Sequence, residues 1–153
     1  MVVADGEGYR AVSAGMRFVR EGLGAVTLMG RPLAGQAVTR EGLRMEGGVP
    51  APLTVVAPSS PELLEQNALE YMALQSEKGK PVSVDEAVTS MRCPLAAGAM
   101  MVRRKEAEVG VGGNVSSTAD MLRAGIRVIG TAPGNKTVSG FFFMISPGDA
   151  LNG

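Results

Sequence analysis

Short apolar runs alternate with segments of helical spacing along this chain, and that alternation restricts the fold more than any other feature. Val2-Val3-Ala4 is an apolar run closed by Asp5-Gly6, and Val12, Met16, Val19 and Leu23 follow at helical spacing until Gly22 and Gly24 stop the pattern. Residues 25–29 read as a second strand. Pro32 opens a helix that Gly42 closes, and Leu53-Thr-Val-Val56 reads as the next strand. Strands separated by helices pair in parallel through crossovers, so the expected architecture is α/β: an open, mostly parallel sheet in three layers.

The second half repeats the scheme with clearer helix starts. Ser59-Ser-Pro-Glu62 offers an N-cap, an early proline and a capping-box glutamate for a long helix carrying Leu64, Ala68 and Tyr71 toward Lys78-Gly79. Ser83-Val-Asp-Glu86 is a second capping box; its helix breaks at Pro94 and resumes through Leu95, Ala96 and Met100 to Arg103-Arg104-Lys105. That basic run is read as a solvated helix end suited to the macrodipole. Residues 109–111 are expected as a strand, 117–129 as a helix and 138–145 as a strand with three consecutive phenylalanines. No internal repeat is present. After Ser146-Pro-Gly148 a turn should feed another helix, so the architecture is expected to be incomplete at its C-terminal side, with residues 1–153 forming a single α/β subdomain.

Composition excludes whole classes of chemistry. The 153 residues contain no histidine, which removes Ser-His-Asp triads and imidazole metal sites. Fifteen basic and fifteen acidic residues leave no net charge to steer the chain toward nucleic acid or an anionic membrane. The longest uncharged apolar stretch, residues 93–102, has about half the length of a spanning helix. The N-terminus, Met1-Val-Val-Ala-Asp5, lacks the basic region of a secretory leader. One cysteine, Cys93, fits a reducing compartment and is expected as a small buried residue, so a cytoplasmic location is expected. Ten methionines against four phenylalanines, two tyrosines and no tryptophan imply a core filled by aliphatic and thioether groups. No metal site is expected.

Three loops bear on binding. Gly110-Val-Gly-Gly-Asn-Val115 lies where a dinucleotide fingerprint would lie, but valine stands at the last glycine position and no acidic residue ends the following strand, which disfavours a nicotinamide cofactor. Gly130-Thr-Ala-Pro-Gly-Asn-Lys-Thr137 approximates a phosphate loop, yet Asn135 replaces its second glycine and a helix precedes it; Gly134 is read as the helix exit. The richest segment is Gly112-Gly-Asn-Val-Ser-Ser-Thr-Ala-Asp-Met-Leu-Arg123. Asn114, Ser116, Ser117 and Thr118 surround a helix start of anion-attracting polarity, and Arg123 can swing toward the same mouth. Two readings fit these residues: a phosphate-sized cradle, or ordinary capping by serine and threonine with Arg123 and Arg127 as surface residues.

The segment Gly113-Asn-Val-Ser-Ser-Thr-Ala-Asp-Met-Leu-Arg-Ala-Gly-Ile-Arg-Val-Ile-Gly130, with Ala132-Pro-Gly-Asn-Lys-Thr-Val-Ser139 and Phe141-Phe-Phe-Met144, resembles phosphate acetyltransferases, most of all those of ethanolamine utilisation. Val2-Val-Ala-Asp-Gly-Glu7 with Arg10 and Gly22-Leu-Gly-Ala-Val-Thr-Leu-Met-Gly-Arg-Pro32 resemble the family's first two strands. The resemblance spans the first half of the family's catalytic unit. It implies an isocitrate/isopropylmalate dehydrogenase-like sheet and a parent activity interconverting acetyl-CoA plus phosphate with acetyl phosphate plus CoA, with coenzyme A as substrate and no bound cofactor. It implies phosphate or acetyl phosphate at Asn114, Ser116, Ser117, Thr118 and Arg123, no catalytic residue in this half, and a homodimer or an association with the missing subdomain. Gln75 stands nearest the position where many members carry an arginine. A phosphate butyryltransferase-like enzyme and a non-catalytic remnant or assembly module are the alternatives.

Overall fold

The computed structural model describes residues 1–31 and 53–139. The helix expected from Pro32 to Gly42 and the turn at Ser146-Pro-Gly148 lie outside the described residues. So does most of the strand expected over 138–145, of which Val138 and Ser139 have no regular structure. Numbered in chain order, the strands are β1 (Val2–Val3), β2 (Val26–Met29), β3 (Leu53–Val56) and β4 (Gly110–Val111). The helices are α1 (Tyr9–Arg20), α2 (Pro61–Glu77), α3 (Val84–Met91), α4 (Pro94–Arg103) and α5 (Thr118–Ala124), the last continuing as a π-helical turn, Gly125–Ile129.

All strand pairs are parallel, in the order β3-β2-β1-β4. Val2 stands opposite Thr27 and Gly110, and Val3 opposite Leu28 and Val111. Because side chains alternate along a strand, successive residues feed opposite layers. Val3, Val26, Leu28 and Leu53 pack with Ala11, Val12 and Met16 of α1. Val2 and Met29 point the other way, against Ala97 of α4 and Ala107. A third cluster joins α2, α3 and α4 through Ala68, Tyr71, Ala87, Met91 and Met100, with Val128 from the π turn. Met16, Met29, Met91 and Met100 are at most 1% exposed, so the methionines do fill the core.

Local chemistry explains the helix boundaries and several departures from expectation. Ser83 and Glu86 form the reciprocal capping box, Glu86 N donating to Ser83 Oγ at 3.3 Å and Ser83 N to Glu86 Oε2 at 2.9 Å. The box expected at α2 is absent: Ser60 rather than Ser59 is the N-cap, which moves Glu62 one position too early to reach back. Cys93 is exposed, not buried, because the break before Pro94 makes it the N-cap of α4. Helix α5 with its π turn ends at Gly130, whose φ of 87° only glycine adopts at little cost, so Gly130 and not Gly134 is the exit.

The basic run is likewise not simply solvated. Arg104 is 13% exposed and contacts Asn67 Oδ1 at 2.7 Å, Glu70 at 3.2 Å and Glu106 at 2.7 Å. Arg103 donates to the Val128 carbonyl at 3.3 Å.

Two glycines at the sheet respond oppositely to a methyl group. At Gly98 in α4 an added Cβ would lie 3.6 Å from Ala4 Cβ and Val2 Cγ2, ordinary contact, whereas at Gly6 it would fall 2.8 Å from the backbone N and O of Met29. Gly98→Ala should therefore be neutral or stabilising by about 0.5–1 kcal/mol through helix entropy. Gly6→Ala should cost about 1–3 kcal/mol or more, because a strand backbone must give way. Urea unfolding of both variants checks the sign of each.

Candidate functional site

The sheet changes direction of growth between β1 and β4: β2 and β3 add on one side of β1, and β4 on the other. At the carboxyl ends of that pair the chain places Asp5-Gly6 after β1 and the loop 112–117 after β4. Asp5 Oδ2 accepts from the amides of Gly113 at 2.8 Å, Val115 at 3.2 Å and Ser116 at 3.4 Å, and Asp5 Oδ1 accepts from Ser116 Oγ at 2.6 Å. Burial pushes the Asp5 carboxyl up, but the Ser116 hydroxyl and the three amides outweigh it and hold it below its ordinary value. Gly113, at φ 94°, turns the loop into this arrangement. Glu7 next to it takes the backbone N of Arg31 at 2.9 Å and its Nε at 3.2 Å, which lowers the Glu7 carboxyl as well.

The residues expected to cradle an anion fall into three settings. Ser116 is committed to Asp5. Ser117 is the N-cap of α5, accepting from Asp120 N at 3.2 Å and donating to Asp120 Oδ2 at 2.7 Å. Asp120 Oδ1 in turn takes Arg123 Nη1 at 2.6 Å, so Ser117, Asp120 and Arg123 run along one exposed flank of α5. Thr118 is the first helical residue and exposed, and helical pairing leaves the first-turn amides without an intrahelical acceptor. Asn114 is on the other side of the loop, lining a crevice of about 350 Å³ with Asp5, Arg10 and Gly112.

Arg123 and Arg127 also line a cleft of about 450 Å³ with Tyr71, Ser90, Cys93 and Asp120. An adjoining cleft of about 610 Å³ adds Gln75 and Lys80 to Tyr71, Ser90 and Arg127. The wall carrying both arginines is fastened at its C-terminal end. Lys78 Nζ reaches the Arg127 carbonyl at 2.8 Å and buried Gln75 Nε2 reaches the same oxygen at 3.3 Å, beside the Arg103 contact to Val128. Burial lowers the Lys78 pKa, and the charges of Arg103 and Lys80 add to that. Gln75 thus serves a backbone carbonyl. Asp5 and Lys78 were not among the expected site residues; an Asp-Gly pair directly after a strand was the available signal for the first, and nothing local signals the second. Among the described residues no cluster of three or more metal-ligating side chains occurs.

A family model described as phosphate acetyl/butaryl transferase matches residues 1–152. A phosphate acetyltransferase of Paracoccus denitrificans is 34% identical over 155 residues, taking in 100% of this chain and 43% of that protein. Another, from Acetivibrio thermocellus, is 32% identical over 152 residues, or 96% of this chain and 42% of that protein. In fold, the chain matches the EutD phosphotransacetylase of Staphylococcus aureus with a TM-score of 0.78 at 23% identity, over 97% of this chain and 42% of that one. The chain therefore spans less than half the length of these relatives.

The Asp5 contacts make a pH-dependent contribution of known sign. A carboxyl held below its ordinary value stabilises the fold at every pH above that value, and the contribution disappears as pH falls through the lowered one. Asp5→Asn should cost about 1.5–3 kcal/mol at pH 7, the range for hydrogen bonds to a charged acceptor. The gap to the wild-type chain should stay constant from neutral pH down to about pH 5 and close below about pH 4. Urea midpoints of both proteins across that range measure it.

Proposed function

The chain belongs to the phosphate acetyl/butaryl transferase family, and on that premise we propose that it is the N-terminal α/β part of a phosphate acetyltransferase, contributing one wall of the cleft in which phosphate meets acetyl-CoA. The observation that carries the reading is the family match across residues 1–152, on a sheet whose carboxyl edge gathers the 112–117 loop and α5. In the forward reaction a phosphate oxygen attacks the thioester carbonyl carbon, the C–S bond breaks, and the CoA thiolate leaves; the reverse reaction runs the same bonds backward. Neither direction needs a protein nucleophile. The work left to the protein is to hold the reactants in line and stabilise the tetrahedral oxyanion with fixed donors.

Within this wall, phosphate or acetyl phosphate is assigned to Ser117, Thr118 and Arg123, with Asn114 and Ser116 shaping the loop that presents them. Arg123 and Asp120 form an exposed pair, at 63% and 53% side-chain exposure. Such pairs are worth about 0–1 kcal/mol, so a doubly charged phosphate can take the guanidinium from Asp120. No residue of this chain receives a catalytic role. Coenzyme A enters as substrate, no bound cofactor is required, and the subclass proposed from residues 113–130 is that of ethanolamine utilisation. A homodimer or an association with a second subdomain supplies the opposite wall. The location proposed is the cytoplasm. No helix among the described residues is long and apolar enough to cross a membrane.

The test has two arms: acetyl-CoA formation from acetyl phosphate and CoA, by this chain alone and with a C-terminal phosphate acetyltransferase subdomain added in trans. Negligible turnover alone and turnover on addition are the expected results, because stabilisation of the oxyanion requires donors on both sides of the carbonyl. In the active pair Arg123→Ala should lower activity at least about tenfold, roughly 1.4 kcal/mol, with the loss expressed in acetyl phosphate dependence. Activity in neither arm would favour a non-catalytic assembly module, and an unchanged acetyl phosphate dependence would remove Arg123 from the site.

A further inference from the structure

Open α/β sheets bind ligands outside the carboxyl ends of their strands, at the point where the strand order reverses. Here that point lies between β1 and β4, and the segment entering it from β4, Gly110-Val-Gly-Gly-Asn114, is rich in glycine and leads into a helix. Amides of Gly113, Val115 and Ser116 converge there on a single oxygen, an arrangement suited to phosphate. The oxygen they meet belongs to the chain itself. Asp5 arrives from the end of β1, 108 residues away from Gly113 in sequence, and its second oxygen takes the Ser116 hydroxyl.

We infer that Asp5 is a specificity-determining residue: its carboxylate fills the amide nest of the 113–116 loop and closes the crevice between β1 and β4 to phosphate esters, dinucleotides included. The inference rests on the loop geometry, and it deepens the phosphate reading above by directing an anionic substrate to the outer flank of α5. Asp5 Oδ2 takes all three amides and Oδ1 the Ser116 hydroxyl, so an anion can reach these donors only by displacing the carboxylate. A phosphate brought to the same amides would meet a fixed negative charge at contact distance. Removing that charge would leave the three amides without their acceptor, at the rim of a mostly apolar crevice that Arg10 and Asn114 also line. The dinucleotide reading that the glycine spacing disfavours thus meets a physical obstacle as well, since a side chain already occupies these amides.

The experiment is an amide-resolved NMR titration of the 153-residue chain with inorganic phosphate and, separately, inorganic pyrophosphate, on wild type, Asp5→Ala and Asp5→Asn. In wild type the amides of Gly113, Val115 and Ser116 should stay unmoved to tens of millimolar anion. In Asp5→Ala they should shift saturably, with apparent affinity at these amides improved at least about tenfold over wild type. Asp5→Asn keeps the shape without the charge and should show a smaller shift at the same three amides, which serves if the alanine variant does not fold. Wild-type amides that follow either anion, or folded variants whose amides ignore both, overturn the inference. Phosphate shifts at Thr118 and at the Arg123 side chain report separately on the proposed substrate site. Their absence would remove that site and leave the Asp5 readout untouched.

Discussion

Val2 and Val3 hold the centre of the sheet with two residues, and most of the described architecture depends on their pairing to both sides. Val2 N donates to Val109 O, Ala4 N to Val111 O, and Thr27 N to Met1 O, all between 2.8 and 2.9 Å. A parallel strand this short has few bonds to give, so the contacts at its two ends carry unusual weight. At one end the N-terminal ammonium reaches the Ala25 carbonyl at 2.9 Å. At the other, Asp5 ties β1 to the loop beyond β4, extending the pairing by side-chain bonds where backbone bonds stop. Position and function meet in that carboxylate: the bonds that complete the strand pair also fill the crevice where an open sheet of this kind receives ligands.

The second dependence concerns α5 and its π turn. Val128 is the buried residue of these segments, and polar donors on the last carbonyls add to the packing against α4. Lys78, Gln75 and Arg103 converge there from α2, the turn after it and α4. Cations at a helix C-terminus are favoured by the macrodipole, and partial burial strengthens the attraction while lowering the lysine pKa. The consequence falls on Arg123 and Arg127, whose guanidinium groups line the clefts on this wall and whose direction follows the helix that carries them. Gln75 is relevant for the same reason. Where the family resemblance points to an arginine, this chain has an amide already engaged with a backbone oxygen.

A third polar assembly shows what the packing tolerates. Asn67 is fully buried, its Oδ1 takes Arg104, and its Nδ2 has no hydrogen-bond partner. Such an orphaned donor costs about 1–3 kcal/mol. Its carbonyl side is nonetheless needed, since Arg104 is largely withdrawn from water and the oxygens of Asn67, Glu70 and Glu106 together satisfy its fork.

Features decided within a few residues were legible in the sequence. The Ser83 to Glu86 capping box, the break at Pro94, the strand at Leu53–Val56 and the α/β order each follow from spacing, dihedral preference and local hydrogen bonding. Near misses came where two local solutions compete, as between Ser59 and Ser60 for one cap, or between burial and a capping position for Cys93. The segment 113–130 was specific enough to point to the family, and the placement of Ser117 at the start of α5 followed from capping rules. Tertiary structure alone decided that the loop's amides close on Asp5, that Arg104 turns inward to Asn67, and that Lys78 and Gln75 secure the helix end. Each of these joins groups tens to more than a hundred residues apart. Periodicity records which face of an element is apolar, whereas the partner of a charged group depends on which elements the sheet order sets side by side.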